Sequence, residues 1–173
     1  MLTKIKSFPE LFGIELRYAY DCEQKLVKKG LPAMIEAATS PELRSALEQH
    51  LRQTQQQVMR LEKVFALVGM EPETKDNDII DKIMSAAKDS VSNIDSSALR
   101  DAALVINGNT VEHYEIAMYG SLANFARNLG LENAVDILEE TLREEKEADA
   151  RLTQIGVSSL NPRAVQEQRA ASA

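Results

Sequence analysis

Apolar residues recur at helical spacing along nearly the whole chain, and the pattern predicts four long helices and one short one. The first long helix is expected over residues 7–38. Phe8, Phe12, Leu16, Ala19, Leu26, Val27 and Met34 form its stripe, Ser7 is its N-cap, and Pro9 and Glu10 suit its first turn. Gly30 and Pro32 interrupt the stripe and predict a kink. After a thin turn, Ser40 caps a second helix over residues 41–68, striped by Leu43, Ala46, Leu47, Leu61, Val64, Phe65 and Val68 and stopped by Gly69. Residues 70–77 read as loop, 78–89 as a short helix, and 90–97 as loop again. The third and fourth long helices are expected over 97–129 and 132–155, stopped by Gly130 and Gly156.

Connection lengths decide the topology. The first and third connections are tight turns, so each joins an antiparallel hairpin. The middle one is about 28 residues long, enough to carry the chain to the far end of a bundle. Two hairpins joined by one long crossover define an all-α, ferritin-like four-helix bundle, with residues 5–157 as the domain. Residues 158–173 form a polar, Ala-rich tail that is either disordered or a docked extension.

Polar residues placed where leucines belong are the informative feature. On the first helix Glu23 falls in the middle of the apolar arc, with Glu15 at its edge. On the second, His50, Thr54 and Gln57 lie on the line through Ala46, Leu61 and Val64, with Gln53 about 40° to one side of Gln57. On the third, Glu112 aligns with Val105, Ile116, Tyr119 and Ala123, and Glu115 lies between Val111, Met118, Tyr119 and Leu122. On the fourth, Glu145 is centred among Leu138, Thr141, Leu142 and Leu152, and Asp149 follows one turn on. Counting back from the two tight turns puts Glu23 level with Gln57, Glu115 with Glu145, and Glu112 with Asp149. All these groups therefore share the middle layer of the bundle.

Buried carboxylates that repel one another must take up protons or find a cation. No inward Lys or Arg is evident, so a divalent metal is the expected partner. This is the layout of di-iron and di-manganese carboxylate bundles, and oxygen-rich ligation favours iron or manganese over zinc. The Glu-x-x-His motif of such proteins is absent; the chain has only two histidines, His50 and His113. Other readings stay open. Glu23, Glu112 and Glu145 could instead be protonated or hydrogen-bonded to Tyr20, Tyr114, Tyr119 or the glutamines. His50 either ligates or orients a carboxylate, and Glu115 and Asp149 either ligate or cap. His113 reads as a boundary residue and Cys22 as a small buried hydrophobe. The acidic run at Glu139, Glu140, Glu144 and Glu147 reads as a solvated face paired with Arg143 and Arg151.

Composition narrows the class further. Aromatics are 5%, Trp is absent, and there are only 7 Gly and 5 Pro, which excludes a turn-rich β-sandwich or barrel. A net charge of −7 argues against nucleic-acid binding. No apolar run reaches the ~20 residues of a membrane helix, and the start has no signal-peptide pattern. One Cys excludes an intrachain disulfide framework and Cys-based metal sites, so a reducing cytoplasm is the expected compartment.

Four segments resemble the YciF/YciE-type ferritin-like stress proteins of bacteria: YDCEQKL (20–26), EQHLRQTQQQVMRLEKVF (48–65), DAALVINGNTVEHYEIAMYGSL (101–122) and EETLREEKEADARL (139–152). VEHYEIAMYG is the most specific. The resemblance covers about residues 5 to 157. It implies a ferritin-like fold, a homodimer, a di-iron type of site, and induction under stress, with ferritin-like or manganese-catalase-like activity proposed for relatives. It also implies metal-site roles for Glu23, Gln53, Gln57, Glu112, Glu115, Glu145 and Asp149, with His50, Thr54 and Tyr119 as supports or further ligands. The family pattern HLxETxxQ matches at His50, Thr54 and Gln57, but Gln53 stands where Glu is usual. A neutral amide there weakens one of the two metal positions. Iron, as two ions or as one plus a weaker site, is the expected cofactor, with manganese as the alternative.

Overall fold

The computed structural model describes residues 4–172, and every described element is helical. The helices are α1 (Phe8–Lys25), α2 (Leu31–Ala37), α3 (Pro41–Leu67), α4 (Asp78–Ser92), α5 (Ser97–Asn128), α6 (Glu132–Ile155) and α7 (Asn161–Ala171). Their starts follow local chemistry. The side chains of Ser7, Ser40, Asn77 and Ser96 each accept a backbone N–H three residues on, and Pro9 and Pro41 occupy first-turn positions. Gly69 and Gly130 have φ of 69° and 70°, the left-handed turn that ends α3 and α5.

The predicted kink is a π-helical turn, Leu26–Gly30, which joins α1 to α2 without breaking the rod. A second π-turn, Gly156–Leu160, corrects the expectation that Gly156 stops the fourth helix. Gly156 keeps right-handed helical angles and the chain runs on into α7. A Cβ at Gly156 would lie 3.0 Å from Val105 Cγ1, so the glycine lets α6 approach α5 closely. The tail is thus the docked extension, with Leu160 and Ala164 buried. The crossover helix also runs on to Ser92, past its expected end. Phe8 is 41% exposed rather than core, with its ring edge-on to Phe125 at 4.9 Å.

In the bundle α1 packs beside α3 and α5, and α6 lies beside the same two helices. Asp101, fully buried near the start of α5, fixes the topology. Its carboxylate accepts the Thr39 N–H at 2.7 Å, the Thr39 hydroxyl at 2.6 Å and the Ser40 N–H at 2.8 Å. The starts of α3 and α5 are therefore at the same end, and the crossover must run the length of the bundle. Lys25 pins α4 to α1 through Asp21 and Asp81, each at 2.7 Å. The α5 helix meets α1, α4, α6 and α7, so it lacks a single polar face. Its Leu104, Tyr119, Leu122 and Ala126 join Phe12, Leu16, Leu47, Leu61, Phe65, Leu138 and Ile155 in one core.

Candidate metal centre

Halfway along the bundle the apolar core gives way to acid. Glu23 of α1, His50 of α3, Glu112 and Glu115 of α5, and Glu145 of α6 are all buried. Ligand-capable atoms of His50, Glu112, Glu115 and Glu145 lie within 4.8 Å of one another. His50 Nε2 is 3.2 Å from Glu112 Oε1 and 3.7 Å from Glu145 Oε2. The Tyr119 hydroxyl donates to Glu23 Oε1 and so holds that carboxyl at the edge of the group. The Cys22 thiol faces Glu115 Oε1 at 3.8 Å.

The cluster is far from satisfied by its own partners. Glu23 Oε2, His50 Nδ1, Gln57 Oε1, Glu112 Oε2 and both oxygens of Glu145 are buried without a hydrogen-bond partner among the described residues. Among the described residues no Lys or Arg is buried. Two ionised carboxylates about 5 Å apart repel by roughly 3 kcal/mol at an effective dielectric of ~20, so the group cannot stay fully charged alone. Burial pushes Glu23 up to about 7, although Tyr119 and His50 pull it back. Glu115 and Glu145 are raised well above the carboxylate range, by burial first and by neighbouring carboxylates second. Burial lowers His50, but Glu112, Glu23 and Glu144 outweigh it and leave the imidazole more basic than usual. Burial and Glu23 together drive the Tyr119 phenol well above its ordinary value.

The donor set suits a hard divalent cation. Four carboxylates and one imidazole, with orphaned lone pairs turned inward, match the ligation preferred by iron and manganese.

The other sequence candidates fall outside this group. Asp149 is at the expected height but turned to the edge of the bundle. There Asn109 Nδ2 donates to its Oδ1 at 2.5 Å, and the exposed His113 stands 3.4 Å away. Gln53 is half-buried and lines a cleft together with His50. Thr54 is buried, but its hydroxyl donates to the His50 carbonyl at 2.9 Å and serves the backbone of its own helix. Gln57 is fully buried, and its amide donates to Glu144 Oε2 at 3.0 Å. That contact corrects the reading of the acidic run. Glu144 and Glu140 accept from Arg60 of α3, both at 2.6 Å, and Arg151 pairs with Glu42. Burial raises the Glu144 pKa, but Arg60 and Gln57 reverse the effect and lower it. The Arg60–Glu144 pairing escaped the sequence reading, because an arginine between Met59 and Leu61 has no local partner and Glu144 reads as surface in its own helix.

A buried carboxylate–imidazole cluster inside two hairpins joined by a bundle-length crossover defines an all-α, ferritin-like four-helix bundle. Comparison with known proteins narrows this further: the chain belongs to the family described as "Domain of unknown function (DUF892)", which it matches over residues 7–165. It is 32% identical to protein YciF of Escherichia coli K12 over 164 residues, covering 92% of this chain and 96% of that one. The crystal structure of the E. coli stress protein YciF matches with a TM-score of 0.86 at 30% identity, over 91% of this chain and 99% of that one. YcfI from Rhodopseudomonas palustris also gives a TM-score of 0.86, at 38% identity, over 88% of this chain and 97% of that one. A Xanthomonas campestris protein shares the fold at 24% identity, with a TM-score of 0.72 over 94% of this chain and 99% of that one.

Proposed function

We propose that the protein is a stress-response metal protein whose bundle centre holds iron or manganese through Glu23, His50, Glu112, Glu115 and Glu145. The supporting observation is the set of buried carboxylate and imidazole atoms, without hydrogen-bond partners among the described residues, gathered in the bundle interior. When bound, such a metal supplies redox chemistry suited to oxidising Fe(II) or removing peroxide. The chain's own residues prepare the place. Tyr119 orients Glu23, and the surrounding leucines exclude bulk water. Burial and mutual repulsion disfavour the anions of Glu115 and Glu145, a penalty that a bound cation would relieve. The likeness to the stress protein YciF supports the physiological setting. Homodimerisation in the cytoplasm belongs to the same proposal, and sedimentation tests the dimer.

The decisive measurement is metal titration of chelator-treated protein with Fe(II), without oxygen, and with Mn(II). One to two equivalents should bind and raise the melting temperature, and Glu112→Gln with Glu145→Gln should abolish both effects while the fold persists. Occupancy below about 0.1 equivalent sinks the reading. One observation favours a second reading, a dimeric structural stress protein with a vestigial site. Gln53 offers an amide where the resemblance expects a carboxylate. That reading predicts neither thermal shift nor consumption of oxygen or peroxide.

A further inference from the structure

Between α3 and α6 a cleft of about 380 Å³ opens to solvent and leads inward to His50. Its outer lining is polar: Glu147 and Arg151 are exposed and Gln53 is half-buried. Ala46 and Ala148 line it from opposite walls, one on each helix. A leucine at either alanine would put three more carbons into the seam between the two helices. Larger side chains at these two positions would fill part of the cleft. At a liquid share of ~30 Å³ per molecule, it has room for several waters, enough for a hydrated ion.

The inner end is chemically special. His50 is 5% exposed, it belongs to the acidic cluster through Nε2, and its Nδ1 has no partner. A ligating histidine usually has its second nitrogen tied to a carboxylate or carbonyl, which locks the ring. Among the described residues no such tie exists, and the ring lines the cleft while its Nε2 faces Glu112 and Glu145. The charge of the mouth suits a cation. Arg151 is drawn to Glu42 at 3.5 Å, whereas Glu147 makes no ion pair among the described residues. Gln53 adds a neutral side-chain carbonyl further in.

From this geometry we infer that the α3–α6 cleft is the entry path for divalent cations, with Glu147 and Gln53 as oxygen stations on the way and His50 as the inner gate. The inference rests on the metal-binding reading above and adds a route to it. Glu147 attracts the hydrated ion, Gln53 exchanges a water for its carbonyl oxygen, and His50 passes the ion to Glu112 and Glu145. No covalent bond forms or breaks; the ion exchanges water ligands for side-chain oxygen and nitrogen atoms along the route.

The experiment follows cobalt(II) uptake into chelator-treated full-length protein by stopped-flow absorption, with bound metal measured separately at equilibrium. Ala148→Leu should slow uptake at least tenfold and leave the final stoichiometry unchanged. Glu147→Lys should slow it several-fold at low ionic strength, with the difference vanishing in high salt. Ala46→Leu closes the cleft from the other wall and stands in if Ala148→Leu fails to fold. Uptake at the parent rate in the folded leucine variants overturns the route while leaving the metal site intact. A parent protein that takes up no cobalt, iron or manganese overturns the metal reading itself, and the route with it.

Discussion

Replacing Glu23 by Gln isolates the cost of charging the buried cluster. In the metal-free protein Glu23 titrates near 7 rather than 4.5, because burial penalises its anion. The folded state therefore binds more protons than the unfolded chain between those two values. Stability must fall as pH rises through that window, the reverse of a salt-bridged carboxylate. At ~1.4 kcal/mol per pH unit the displacement amounts to about 3 kcal/mol once both states are ionised. Glutamine nearly preserves the shape and can still accept from Tyr119, but it carries no charge at any pH. At pH 4.5 the variant and the parent should thus differ by the glutamine's pH-independent packing offset plus well under 1 kcal/mol from titration. At pH 8 the variant should be more stable by about 3 kcal/mol beyond the offset. Urea unfolding followed by circular dichroism, in chelator at pH 4.5, 6 and 8, measures the difference directly. A difference that does not change with pH refutes the reasoning, because it would mean that Glu23 is ionised in the fold at no cost.

Two other perturbations probe the neighbouring structure. Asp101→Ala leaves the Thr39 N–H, the Thr39 hydroxyl and the Ser40 N–H without their acceptor, and should cost about 3 kcal/mol or more in thermal or urea unfolding. An effect below about 1 kcal/mol would show that the clamp between the starts of α3 and α5 is replaceable by water. Tyr119→Phe removes a hydroxyl that draws the Glu23 pKa down, so carboxyl-selective carbon NMR of the metal-free variant should find Glu23 titrating above about 7.

The long helices were legible because each has a local cause. A stripe at 3.6-residue spacing, a serine or proline at the start and a glycine at the turn act within a few residues of one another. The acidic layer was legible for a related reason. A glutamate among leucines, as Glu23, Glu112 and Glu145 are, is visible from its own helix alone. Height along the bundle also follows from the turns, since the rise per residue is constant.

Azimuth across helices is another matter, because it depends on how two rods rotate against each other. Asp149 shares a face with Glu145 on paper, yet the approach of α6 to α5 delivers it to Asn109 and His113 instead. The same rotation gives Gln57 and Arg60 to Glu144, a residue that reads as surface in its own helix. The glycine at 156 has two meanings in isolation, stop or close contact, and only Val105 against it selects the second. Periodicity and capping are properties of one segment and could be read from it. Which donor meets which acceptor is a property of packed pairs, and it came into being only when the hairpins docked.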